Sequence, residues 1–73
     1  MTDIQRDEEF YTYGLELTWM SSTFPRIYVT VDGVCYDGRG KDRDLIILRG
    51  ENGALRAIER QYVDQDYQVA ERI

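Results

Sequence analysis

The sequence predicts a small α+β domain, in which a mostly antiparallel sheet of four to five strands carries one helix on one face. Three observations indicate this fold class. Residues 10–20 alternate between apolar and polar side chains, which is the period of a half-buried strand. Asp32-Gly33 lies between two apolar runs, as in a tight hairpin. Residues 52–63 carry apolar side chains at helical spacing.

The chain divides into a predicted flexible acidic arm, residues 1–9, and a single α+β domain, residues 10–73. The arm has almost nothing to bury, so we expect it to stay mobile. The first strand follows it over residues 10–20, with Gly14 as a candidate bulge. The charged residues of the arm are Asp3, Arg6, Asp7, Glu8 and Glu9.

Two predicted strands, residues 26–31 and 34–36, flank Asp32-Gly33. We expect a hairpin there, because the tight two-residue turn needs positive φ at both central positions. The apolar run 45–48 is too short for a helix and favours a central strand covered on both faces. Residues 37–44, which separate these strands, form a Gly-containing charged loop.

The helix is predicted over residues 52–63. Leu55, Ile58 and Tyr62 fall at positions i, i+3 and i+7, so they share one apolar face. Asn52 is the expected N-cap, since its side chain can accept from the first free backbone N–H groups. Alternating apolar residues from position 67 to the C-terminus then predict a last strand.

Composition gives little support for an enzyme. The chain has no histidine and one cysteine, which excludes a Cys/His zinc site and an intramolecular disulfide. Cys35 lies in a predicted strand with no base beside it, so we interpret it as a small buried hydrophobe. The acids near residues 37–44 do not match a calcium loop. We therefore expect a non-enzymatic, cytoplasmic monomer without cofactor, metal or membrane segment.

The charge balance favours a protein partner. Asp and Glu number 14 against 9 Lys and Arg, and the net charge of −5 opposes unassisted binding to nucleic acid. The one local cluster of bases is Arg39, Lys41 and Arg43 on the charged loop. These three are candidates for contact with nascent RNA that another protein positions. The alternative is that they only balance the acids of the same loop.

Aromatic residues are frequent, with six Tyr, two Phe and one Trp. Tyrosine offers a large contact area with a polar end, which suits interfaces as well as cores. Phe10, Tyr11 and Tyr13 adjoin the acidic arm, where contact with a partner is the favoured interpretation. The candidate partner-binding residues are Asp7, Glu8, Glu9, Phe10, Tyr11, Tyr13 and Arg72.

One segment reads as a helix ending in Glu-x-Gln-Tyr-Val, a short loop and an aromatic-x-Val strand. Its residues are Ala54, Leu55, Glu59, Gln61, Tyr62, Val63, Tyr67 and Val69. The segment resembles the end of a small coliphage inhibitor of host RNA polymerase. The length, acidity and Tyr-rich start of the chain are similar to those of a small transcription regulator of a Xanthomonas phage.

The resemblance implies a small phage-encoded regulator of bacterial RNA polymerase. Such a protein would bind core subunits in the host cytoplasm, inhibit σ-dependent initiation and promote antitermination. In the coliphage inhibitor, arginines of the last strand help contact polymerase, whereas here only Arg72 is basic and it is shifted by one residue. The alternative is an acidic anti-defence inhibitor, a nucleic-acid mimic that blocks a host DNA-binding protein.

Overall fold

A computed structural model describes residues 9–21 and 26–70 of the chain. The fold class is confirmed, because five strands form one antiparallel sheet in the order β4-β3-β2-β1-β5 and one α-helix accompanies it. A 3-10 turn, Lys41–Arg43, precedes β3. The elements are β1 (Glu16–Trp19), β2 (Tyr28–Cys35), β3 (Leu45–Gly50), β4 (Leu55–Glu59), α1 (Arg60–Asp66) and β5 (Tyr67–Val69).

The connections form a meander that the last strand extends on the opposite side. Strands β1 to β4 follow one another across the sheet, and β5 then pairs with β1 at the far edge. Helix α1 carries the chain from the β4 edge to the β5 edge. Because every pairing is antiparallel, β4 and β5 run in the same direction at the two edges.

The core lies on one face of this sheet. Paired residues share a face, and the register sets Leu17 opposite Val29 and Val31 opposite Leu48. The fully buried members of this face are Leu17, Val31 and Ile46, each 0% exposed. Helix α1 adds Val63, also 0% exposed, so its seven residues cover part of the face.

Asp32-Gly33 does not form the predicted hairpin. Strand β2 continues through both residues, and its register with β3 shifts between Val31 and Gly33, which marks a β-bulge. Gly33 does not have positive φ. The two runs pair with β3 rather than with each other, and the bulge lets Val31 and Val34 face the core together.

The predicted helix over residues 52–63 is also wrong. Asn52-Gly53 forms the turn of the β3–β4 hairpin, with Gly53 at φ 86 and Asn52 Oδ1 accepting from the Ala54 N–H at 3.0 Å. Residues 55–59 are a strand, and the helix begins only at Arg60. Leu55 and Tyr62 are exposed, whereas Ile58 packs against the core.

Of the remaining strand predictions, some are confirmed and others are wrong. The strand at 45–48 is confirmed within β3, but coverage on both faces is not, because Ile46 and Leu48 are buried whereas Leu45 and Ile47 are partly exposed. The strand beginning at Tyr67 is confirmed as β5. The first strand is shorter than predicted, because a turn with Gly14 at φ 90 precedes it. Cys35 is exposed at the end of β2, contrary to the buried position expected for it.

Candidate functional site

The N-terminal aromatics are fixed by a cluster around Tyr11. This side chain is 3% exposed, and its hydroxyl donates to Asp64 Oδ1 on α1 at 2.6 Å. The guanidinium carbon of Arg60 lies 5.1 Å from the Tyr11 ring centroid, a cation–π contact inside the core. Phe10 meets the same ring edge to face at 5.1 Å between centroids. The cluster therefore fastens the start of the domain to α1.

This geometry changes the predicted contact surface. Tyr11 is a core residue, because its ring is buried and its hydroxyl is engaged by Asp64. Tyr13, two residues on, is 73% exposed, while Phe10 is half-buried. Glu9, which precedes Phe10 in the sequence, is exposed. The other predicted contact residues, Asp7, Glu8 and Arg72, lie outside the described residues.

The charged loop is organised from within by two aspartates. Asp37 pairs with Arg39, whose Nη2 donates to Oδ2 at 2.9 Å, and this hydrogen bond lowers the pKa of the Asp37 carboxyl. Asp44 is buried, and its Oδ1 accepts from the Asp37 N–H at 2.9 Å. The Asp44 carbonyl also accepts from the Arg60 N–H at 2.7 Å. The loop is therefore tied to the first residue of α1.

The three candidate RNA-proximal bases are all exposed on this loop. Arg39 is engaged by Asp37, so its charge is partly balanced within the loop. Lys41 and Arg43 lie in the 3-10 turn that follows. The structure thus brings the three bases onto one exposed loop. Contact of this loop with RNA stays a prediction.

An open groove of about 740 Å³ lies on the core face, beside the part that α1 covers. It occupies the end of the sheet where β1 finishes and β2 begins. Its floor comes from β1, β2 and β3, and its two sides come from the edge strands β4 and β5. The apolar residues that line it are Trp19, Ile27, Val29, Leu48, Ile58 and Tyr67.

The side chains in the groove are less buried than those beneath α1. Trp19 is 37% exposed and Ile27 is 47% exposed. Trp19 stands opposite Tyr67 in the β1–β5 register, so the two aromatic side chains are neighbours on the groove side of the sheet. Partial burial raises the pKa of the Tyr67 hydroxyl, and the nearby charge of Arg56 partly opposes that shift.

Charged residues border this apolar floor. Arg26 and Arg56 line the groove together with Glu51 and Asp66. Within the described ranges, neither Arg26 nor Arg56 forms an ion pair with a carboxylate. By contrast, Arg39, Arg49 and Arg60 each have an aspartate partner.

Sequence reasoning missed the groove, because its residues come from five separated segments that no local pattern joins. The alternation that placed Leu17 and Trp19 on one face of the first strand was the one available signal. It could have shown that Trp19 belongs to the core face but lies at its end. What the sequence does not show is how far along that face a helix would reach.

Among residues 9–21 and 26–70, no three Cys, His, Asp or Glu side chains come together as a metal-binding group. No helix within these ranges is both long enough and apolar enough to cross a membrane. Comparison with protein-family models, with curated proteins and with solved structures finds no match for this chain.

Proposed function

We propose that this chain is a non-enzymatic phage protein that binds bacterial RNA polymerase, inhibits σ-dependent initiation and promotes antitermination. The observation that carries the proposal is the anchored base of the acidic arm. Buried Tyr11 fixes this point to α1 and leaves Tyr13 exposed, four residues along the chain from the exposed Glu9. An exposed aromatic next to acidic residues suits a basic protein surface, and its fixed base lowers the entropy lost on binding.

The choice of polymerase as partner comes from the resemblance over residues 54–69. In the structure this segment keeps the aromatic-x-Val strand as β5. Its helix begins at Arg60, runs through the expected loop and ends at Asp66. The resemblance therefore supports the identity of the partner more than the placement of individual contacts, and the contact surface rests on Glu9, Phe10 and Tyr13.

The alternative, a mimic of nucleic acid, requires carboxylates spread over a continuous face. Several of the described carboxylates are occupied within the fold. Asp32, Asp37 and Asp64 have arginine partners, and Asp44 is buried. The geometry therefore favours a localised protein contact over mimicry.

A capture experiment with purified core polymerase at low salt tests the proposal. We expect the parent chain to recover polymerase and Tyr13→Ala to recover much less, because that ring is offered to the partner. Tyr36→Ala is the matched control, since Tyr36 is also 73% exposed but follows the last residue of β2 and is separate from the segment that Tyr11 anchors. Failure of the parent chain to recover polymerase overturns the proposal.

The role of the charged loop is tested in the same system. We expect replacement of Arg39, Lys41 and Arg43 by Ser to preserve capture of polymerase and to reduce terminator read-through more than it relieves inhibition of initiation. The physical reason is that contacts to RNA phosphates are electrostatic and need polymerase to position the RNA. Parental read-through by the bound triple variant would remove the loop from antitermination.

A further inference from the structure

We propose that the groove between β4 and β5 binds an extended segment of a partner protein that combines apolar and acidic side chains. This site goes beyond the polymerase-binding surface around Tyr13. Tyr13 precedes the first residue of β1, whereas the groove lies at its last residue, Trp19. The two surfaces therefore sit at opposite ends of the same strand.

The floor of the groove supplies the apolar part of the site. Trp19 and Ile27 are partly exposed on the face that elsewhere forms a fully buried core. Leu48 of β3 also lines the groove and is 2% exposed. An apolar side chain entering from a partner would bury these groups and would extend the core beyond the part of the face that α1 covers.

The sides of the groove favour an extended chain. In the described sheet, β4 pairs on one side only, with β3, and β5 pairs on one side only, with β1. Their outer edges present backbone N–H and C=O groups, to which an added strand can hydrogen-bond. Since β4 and β5 are opposite edges of the sheet, with three strands between them, an added strand pairs with one of them and borders the groove from that side.

The charges of the groove select acidic side chains. Arg26 and Arg56 border the apolar floor without an ion-pair partner among the described residues, in a chain whose acids outnumber its bases by 14 to 9. A guanidinium group binds a carboxylate through two parallel hydrogen bonds, and it loses little in desolvation compared with an ammonium group. Carboxylates on the peptide would therefore form ion pairs with these two arginines.

The same border argues against single-stranded nucleic acid. Trp19 and Tyr67 could stack on bases, and arginine could meet phosphate. Glu51 and Asp66, however, also line the groove and would repel a phosphate backbone, which carries a negative charge at every nucleotide. A peptide can place single carboxylates at the arginines and keep uncharged residues near the acids.

The fluorescence of Trp19 provides the test, because it is the one tryptophan of the chain and it lines the groove. The probes are a short capped peptide of alternating Glu and Leu, the same peptide with Lys for Glu, and oligouridylate. We expect a saturable change in emission with the Glu peptide and none with the other two probes. No polymerase is present, so this result and the polymerase capture succeed or fail separately.

A double variant and a control variant test which arginines bind the peptide. We expect the double change Arg26→Ser and Arg56→Ser to weaken binding of the Glu peptide about tenfold or more. Arg43→Ser is the matched control, since Arg43 is exposed and has no ion-pair partner in the described ranges, but it lies on the charged loop. Thermal melts followed by circular dichroism verify that all variants remain folded.

Several results would overturn the inference. An unsaturable or absent response to the Glu peptide removes the site, and equal weakening by Arg43→Ser removes the role of the arginine pair. Preferential binding of oligouridylate assigns the groove to nucleic acid instead. A change in Trp19 emission when the protein alone is concentrated assigns it to a second copy of the chain.

Discussion

The half of the core face beneath α1 and the half that forms the groove are built from the same strands but have different burial. On β1, Leu17 is 0% exposed whereas Trp19 is 37% exposed. Val31 of β2 is 0% exposed, whereas Ile27, the residue before β2, is 47% exposed. The cause is the length of the helix. Seven residues at about 1.5 Å per residue extend only about 10 Å, which covers part of a five-stranded sheet.

Stability and recognition are therefore separated along each strand rather than between strands. The covered half holds the buried cluster and the Tyr11 anchor. The open half presents apolar side chains that already have a fixed backbone, so a partner has little left to order there. Substitutions of the same type in the two halves should therefore have unequal effects.

The largest contrast is expected between two isoleucines. Ile46→Ala removes a side chain that is 0% exposed and should lower the free energy of unfolding by about 2 to 5 kcal/mol. Ile27→Ala, in the open half, should lower it by less than about 1 kcal/mol. Urea denaturation of the two variants measures both values. Similar losses would show that the groove is part of the stabilising core.

Two glycines contrast the bulge of the covered half with the turn that borders the groove. Gly53 has φ 86, so Gly53→Ala should cost about 1 to 2 kcal/mol. Gly33 does not have positive φ, and an added Cβ meets no atom within 4 Å. Gly33→Ala should therefore be neutral or should stabilise by up to about 1 kcal/mol.

Chemical denaturation of both glycine variants measures these two changes in the free energy of unfolding. A large loss for Gly33→Ala would restore the hairpin interpretation of Asp32-Gly33, since only that turn requires positive φ there. Tolerance of Gly53→Ala would instead contradict the Asn52-Gly53 turn.

Tyr11→Phe tests the anchor within the covered half. It removes the hydroxyl that donates to Asp64 at 2.6 Å and keeps the ring beside Arg60, so it should cost about 1 kcal/mol. Tyr13→Phe is the control, because that side chain is 73% exposed, and we expect no measurable change. Equal melting temperatures for the parent and Tyr11→Phe would mean that the hydrogen bond contributes nothing net.

The smallest effect concerns Tyr67 in the open half. Its pKa is raised above the ordinary 10.0 by partial burial, so the folded state favours the neutral phenol. This contribution is complete below pH 10 and is lost as the pH rises through the folded pKa. The difference in tyrosinate absorbance between the parent and Tyr67→Phe should therefore titrate above pH 10.

The neighbour Arg56 sharpens the Tyr67 measurement. Its positive charge lowers the pKa of Tyr67, so Arg56→Ser should move the titration to still higher pH. A titration at or below pH 10 in the parent would contradict the effect of partial burial on Tyr67. No movement in the variant would contradict the proximity of Tyr67 and Arg56.

The sequence was sufficient for the fold class and for those strands whose pattern has one interpretation. The apolar run 45–48 could form little other than a central strand, and it lies within β3. Residues 55–59 were ambiguous, because Leu55 and Ile58 fit helical spacing while their neighbours also suit an edge strand. Pairing with β3 decides the outcome, and the Asn52-Gly53 dipeptide was the hairpin signal that sequence reasoning assigned to a helix cap.

The candidate site was less accessible to prediction for a physical reason. Tyr11 and Tyr13 look equivalent in sequence, and only the position of Asp64 on α1 separates the buried ring from the exposed one. The groove depends on where α1 stops, which is a property of the packed sheet. Local sequence patterns carry no information about the distance from Tyr11 to Asp64 or about the length of sheet that α1 covers.

The pairing of the first strand with the last has a consequence for synthesis. Leu17 lies opposite Val69, and Tyr11 reaches Asp64 across 53 positions of the chain. The ribosome must therefore release α1 and β5 before β1 gains its outer neighbour and Tyr11 its acceptor. Contacts so distant in sequence slow the search for the native state, because the whole loop must close before they form. We expect the first strand of the nascent chain to stay unpaired on this side until α1 and β5 have emerged from the ribosome.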